Sequence, residues 1–252
     1  SWDHPDGELR TFHWDVLAQQ YVALSDRHVT LANQCARLLK EKYPDKDYAV
    51  STLAYGHSRP PPVEAVPDDN VIIASVANFI LRHGLKDRGS SRGMTHREQF
   101  KGWGQVAPNL MWRPNTGSPV GWQQGLPDVP IHRTINDFKF IADLNCVGIS
   151  IDSVWEHWAT QGPLYYVMAQ LAWNPEQDGD AILNDYCQRA YGPAAQQLKA
   201  YWALLEETRN KCKASDRNYW EIYNAAFFEK AYALLDQAGQ KLAETDGKYS
   251  KR

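Results

Sequence analysis

Residues 71–77 read VIIASVA, an unbroken apolar run that suits a strand buried on both faces, as in a parallel sheet. Three other segments also read as strands: 48–55 (YAVSTLAY, β-prone and ending at Gly56), 109–113 (NLMWR) and 147–152 (VGISID). A short helix over 98–105 and a longer one over 135–144 fall between them. The first strand leads into a proline-rich loop, and a Gly/Pro/Trp loop fills 114–130. Ahead of the strands, 25–43 is helical. Val29, Ala32, Cys35, Ala36 and Leu39 form one apolar stripe, Ser25 can cap it, and Pro44 stops it. The residues before that helix mix aromatic, acidic and turn types without a clear period. Strands alternating with helices of this length imply right-handed βαβ units and a parallel sheet.

Past Gly162 the character changes. Segments 165–173, 181–191, 194–211 and 219–245 read as helices, broken at Pro175, at Gly192-Pro193 and at the polar stretch 213–216. On the last of them Phe227, Phe228, Ala231, Leu234, Leu235, Ala238 and Leu242 make an apolar stripe that reads as packing core. The strands found here do not close an eight-stranded barrel, which takes about 250 residues by itself. The expected fold is therefore α/β, of (β/α) TIM-barrel type, with only the C-terminal half of the barrel in this chain and an α-helical tail after it. A smaller α/β sheet is the alternative. The barrel portion is expected over 1–160, and a helical region packing on it over 161–252.

Composition narrows the partners. The net charge is −3 with both signs mixed along the chain, so nothing points to nucleic acid or to an anionic membrane. No run is long and apolar enough to span a bilayer, and no signal peptide is read. Ten Trp and thirteen Tyr are the outlier. Aromatic-rich helices around a large core explain them most simply. Sugar recognition is the sharper account, because the C–H faces of pyranose rings stack on aromatic rings. Cys35 and Cys146 sit at apolar positions and read as buried thiols. No C-x-x-C pair is present, and a disulfide between Cys187 and Cys212 stays open.

The stretch 33–62, NQCARLLKEKYPDKDYAVSTLAYGHSRPPP, carries a helix ending in K-Y-P, a strand ending in S-T-L-A-Y and a P-P loop. That succession resembles a bacterial family of unknown function grouped with the glycoside-hydrolase TIM barrels. The blocks 135–152, 171–178 (LAWNPEQD) and 191–194 (YGPA) resemble its later strand and helical section, so the likeness covers 20–205. The resemblance implies a barrel, a glycan substrate and further barrel sequence upstream. It supplies no established reaction and no set of catalytic residues. On this reading the protein is secreted or periplasmic.

In a (β/α) barrel the chemistry sits on loops after the carboxyl ends of the strands. The first strand offers Tyr55, His57 and Arg59, and the second Asn78, with Arg82 and His83 further on. The third offers Trp112, Arg113, Asn115 and Trp122, and the fourth Asp152, Trp155, Glu156, His157 and Trp158. Glu64, Asp68 and Asp69 precede a strand and belong to the opposite, stabilising face. Glycoside hydrolysis takes two carboxyl groups, a proton donor and a nucleophile or base. Asp152 and Glu156 are the strand-end acids and the candidate catalytic residues. Asp152 closes an apolar strand, where desolvation raises a carboxyl toward acid/base work, although capping the next turn explains it equally well. For Glu156 a solvated loop position is the simpler account, and the second acid can lie upstream.

Candidate substrate contacts are Tyr55, His57, Arg59, Asn78, Trp112, Arg113, Asn115, Trp122, Trp155 and His157. Arg59 and Arg113 can grip an acidic sugar bidentately, though pairing with a structural carboxylate is the commoner use. His57, His83, His96, His132 and His157 lack H-x-H or H-E-x-x-H spacing, so no metal site is expected. No dinucleotide, Walker or nucleophile-elbow motif is present, and no cofactor is expected. The expected function is a glycoside hydrolase-like protein acting on poly- or oligosaccharide by carboxylate acid/base chemistry. The alternatives are a non-catalytic carbohydrate-binding barrel and a helical interaction module on an α/β scaffold. Oligomeric state is not legible here.

Overall fold

The computed structural model describes residues 12–15, 20–77, 91–114, 129–144, 146–152, 158–211 and 219–245. They fall into two compact units, one drawn from 1–116 and 139–154, the other from 117–138 and 155–252.

The first unit is α/β. It opens on an antiparallel hairpin of β1 (Phe12–Asp15) and β2 (Gln20–Ala23), with Phe12 opposite Ala23. Strands this short show no readable alternation, which is why the sequence carried no period there. Helix α1 (Leu24–Lys42) follows directly and buries Val29, Ala32 and Ala36. Cys35 is exposed, contrary to its reading as a buried thiol, because Ala32, Asn33 and Ala36 take the inward side.

Strands β3 (Val50–Ala54), β4 (Val71–Ser75), β5 (Asn109–Trp112) and β6 (Cys146–Ile149) form one parallel sheet in that order. In the chain, α2 (Ser91–Val106) stands between β4 and β5, and α3 (Ile131–Ala142) between β5 and β6. Register places Ile73 beside Leu110 and Ser75 beside Trp112. Val71, Ile73, Leu110 and Trp112 share one face and are fully buried, with α1 packed on β3 and β4 and α2 on β4. On the other face Leu53 is 44 % exposed, and Ile72 and Met111 are half-buried. That face also holds the buried Ala74, and among the described residues no strand pairs with the outer edges of β3 and β6. Cys146 pairs with Leu110 while Gly148 pairs with Met111, so Val147 is a bulge residue and stands out of the ladder.

Close packing shows at Gly102, where a Cβ would meet the Pro61 ring carbon at 2.7 Å. At Gly239, within the last helix, a Cβ would meet nothing within 4 Å. The same substitution therefore has opposite signs. Gly239→Ala is expected to stabilise by about 0.5–1 kcal/mol through helix propensity. Gly102→Ala is expected to destabilise by about 1–2 kcal/mol, because a proline ring cannot swing aside. Urea midpoints of the two variants moving the same way would refute this.

The second unit is helical: α4 (Trp158–Trp173), α5 (Gly179–Tyr191), α6 (Ala195–Lys211), α7 (Tyr219–Ile222) and α8 (Ala225–Ala243). Leu164, Val167, Met168 and Leu171 of α4 are buried, as are Ile182 and Leu183 of α5 and Trp202 and Leu205 of α6. Asp178 caps α5 by accepting from the amides of Asp180 and Ala181. Gly192 ends it at φ +50°, a value that suits glycine. The segment 219–245 is not one helix. Asn224 breaks it and caps α8, its side chain accepting from Phe227 N at 3.1 Å. That cap sets the phase of the stripe: Phe227, Ala231 and Ala238 are buried, while Phe228 and Leu235 lie on the exposed side. Cys187 is a free, buried thiol, pushed up to about 11 by desolvation.

Candidate functional site

Polar residues gather at the carboxyl edge of the parallel sheet, and the loop after β3 is built to hold them. Beyond Tyr55 the chain makes one 3-10 turn, Gly56–Ser58, entered through Gly56 at φ +56°. The buried Ser58 hydroxyl lies 3.0 Å from Tyr55 O and 3.2 Å from Leu53 O, which ties the turn to the strand end. The Arg59 carbonyl accepts the Trp103 indole N–H at 2.7 Å. The Arg59 guanidinium lies 5.7 Å from the Tyr55 ring centroid and donates to His96 Nε2 at 3.0 Å. A guanidinium has no acceptor, so His96 Nε2 must accept and the ring proton sits on Nδ1.

Further along, α1 pins the loop. The Asp26 carboxylate accepts from the amides of Val63, Glu64 and Ala65 at 3.1, 2.9 and 2.6 Å. Asn33 donates to Val66 O and accepts from Asp68 N, at 2.8 and 2.9 Å. Held this way, the loop leaves Tyr55 half exposed and His57 exposed.

Across the sheet, backbone pairing continues past the strands. Arg113 N donates to Ser75 O, and Asp152 N to Pro114 O. This brings Arg113 Nη2 within 3.1 Å of Asp152 Oδ2, with the side chains 28 % and 37 % exposed. Arg113 thus has a carboxylate partner within the protein, and Asp152 is partly solvated rather than dry. Trp112 is fully buried, its indole N–H directed at Ala77 O at 3.3 Å, so it packs the sheet instead of offering an open ring. Asn78, Asn115, Trp122, Trp155, Glu156 and His157 lie outside the described residues. Trp158 begins α4 and meets the Tyr165 ring edge-on at 5.2 Å.

At the opposite edge, Arg37 grips Asp68 through Nε and Nη2 at 2.7 and 3.0 Å. Lys40 pairs with Asp69 and holds its carboxyl below the usual range. Among the described residues no three His, Cys, Asp or Glu side chains are placed to hold a metal ion.

The helical unit carries its own charged cluster. His132, at the start of α3, gives its backbone N–H and its Nδ1 to the Glu206 carboxylate, while Nε2 lies 3.0 Å from Asp180. Hydrogen bonding to Glu206 is the largest cause that raises His132 from 6.5 to about 9, against the opposing effect of burial.

Asp26, Asn33, His96 and Trp103 position the site loop without having been singled out as doing so. Their partners lie 33 to 44 residues away, a separation at which no local pattern operates.

No curated protein and no solved structure matches the chain. Residues 13–203 match the family described as Domain of unknown function (DUF4838), and the chain belongs to that family.

Proposed function

We propose that the α/β unit is one side of a glycosidase-like (β/α) barrel, and that it binds and hydrolyses oligosaccharide at the carboxyl edge of its sheet. The observation that carries this is that an exposed Tyr55 and His57 after β3 lie at the same edge of the sheet as the Arg113–Asp152 pair after β5 and β6. Function in such sheets resides at that edge. The partly exposed apolar face of Leu53, Ile72 and Met111 suits a barrel lumen that further strands would close.

A carboxylate already bound to a guanidinium is suited to act as nucleophile, base or hydroxyl acceptor, not as proton donor. Asp152 takes that role here. The proton donor is then a second carboxylate, for which Glu156 is the candidate within this chain. Tyr55 offers a ring face for stacking, and His57 and Arg59 offer partners for hydroxyls. Polymeric glycans are met outside the cytoplasmic membrane, so we place the protein as secreted or periplasmic.

The Arg113–Asp152 pair also supports a second reading, a glycan-binding protein without hydrolysis, in which that pair is structural. One experiment separates the two. A panel of oligosaccharides is incubated with the wild type and with Asp152→Asn, and both cleavage and binding are followed. Cleavage by the wild type that vanishes in Asp152→Asn, with binding kept, supports the hydrolase. Binding without cleavage supports the second reading. A panel that is neither bound nor cleaved refutes both.

A further inference from the structure

The helical unit holds a cleft of about 260 Å³ between α4 and α5. Tyr166 and Gln170 of α4 line one side, Asp185 and Ile182 of α5 the other, and Gln177 and Asp178 the turn between the helices. Much of the polar capacity of these side chains is unused. Asp185 accepts from Tyr166 Oη at 2.8 Å and from Arg189 Nε at 2.7 Å, and each oxygen keeps a free lone pair. Asp178 Oδ1 caps α5, and Oδ2 remains available. Gln177 Nε2 is taken by the carbonyls of Gln170 and Asn174, which leaves its Oε1 as an acceptor. No described residue engages the Gln170 side-chain amide.

Two arguments give the ligand's class. The cleft holds two carboxylates, yet Arg189 offsets Asp185 and the first amides of α5 offset Asp178, so a cation finds little uncompensated charge. Acceptors that outnumber donors, beside an apolar wall of Ile182 and the Tyr166 ring, instead match a ring of hydroxyl donors with apolar C–H faces. The second argument is Trp173. It is 88 % exposed, and it follows Tyr166 and Gln170 at i+7 and i+3 on the same face of α4. An indole left in water one turn from a polar cleft is a stacking surface, and among the described residues no ring stacks on it.

We propose that the α4–α5 cleft, with Trp173 beside it, is a binding site for a single ring of a neutral oligosaccharide. The sugar ring stacks on the indole, and its hydroxyls reach Gln170, Gln177, Asp178 and Asp185. This extends the carbohydrate reading to a second site and shares no residue with the Asp152 edge.

The test uses the full chain, labelled with ¹⁵N at tryptophan, and a panel of short neutral oligosaccharides of gluco, manno, galacto and xylo configuration. The indole resonance missing from Trp173→Ala identifies Trp173. At least one panel member is expected to shift that resonance. Trp173→Ala and Gln170→Ala are each expected to weaken its binding about tenfold or more. Among the described residues neither side chain makes an internal hydrogen bond, so these variants are expected to keep the fold, which circular dichroism verifies. Asp152→Asn leaves binding at this site unchanged. The proposal is overturned if no sugar moves the resonance, if neither variant weakens binding, or if choline shifts it in place of the sugars. Binding lost only in Asp152→Asn overturns this site and leaves the sheet-edge reading intact. Cleavage indifferent to Asp152→Asn, with binding lost in Trp173→Ala, does the reverse.

Discussion

Replacing Asp26 with alanine is expected to destabilise the α/β unit by about 3 kcal/mol, because three amide groups lose an ionised acceptor at once. Asp26 is 9 % exposed, and its two oxygens serve Val63, Glu64 and Ala65 on a loop that has no secondary structure of its own there. Hydrogen bonds to a charged group contribute more than neutral ones, and their loss is not fully additive, so the expected total is less than three separate bonds. Asp26→Asn keeps one oxygen and is expected to cost about half as much. The loop so loosened is the one that presents Tyr55 and His57, so the sugar binding proposed for the sheet edge should weaken together with stability. Urea unfolding measures the first effect, and hydrogen exchange at the amides of 63–65 measures its location. A midpoint change equivalent to less than about 1 kcal/mol, with those amides still protected, would show that water replaces the carboxylate at little cost.

The contrast between Asp26 and the strand runs shows what this sequence makes legible. Runs such as VIIASVA declare parallel strands because burial in a sheet is a local pattern, and β4 and β5 occur where the runs do. The hairpin of β1 and β2 is invisible because its strands have four residues each. At 219–245 the helical pattern is continuous across Asn224, and only the cap geometry reveals the break. For the site, the strand-end rule locates Tyr55, His57, Arg113 and Asp152 at one edge of the sheet. It does not separate them from Trp112, which shares the phase of the buried Leu110 two residues earlier and so turns into the packed layer. Counting alternation along β5 was the available signal. No comparable signal exists for Asp26, Asn33 or Trp103, whose partners are set by tertiary packing.

His132 gives the second large effect, and it depends on pH. Its folded-state value of about 9 stands above the unfolded 6.5, so the folded state holds a proton that the unfolded chain releases first. The stabilisation is complete below 6.5 and is lost as pH rises through about 9. Half of the ring faces water, and solvent screening reduces the contribution to about 1–2 kcal/mol. The Glu206 side chain is only 6 % exposed, so removing the ring does more than erase that contribution. In His132→Ala a buried carboxylate keeps the backbone amide of residue 132 as a partner but loses its cation, at a cost of about 3 kcal/mol near neutral pH. The tie joins the start of α3 to α6 and, through Asp180, to the first turn of α5. Tyrosines and lysines also titrate at high pH, so the measurement is the difference between wild-type and His132→Ala stability from pH 6 to 10. That difference should shrink as the imidazolium deprotonates. Parallel curves would mean that His132 is not the group that carries the charge. Adding Glu206→Leu to His132→Ala should recover part of the loss, because the stranded carboxylate goes with it.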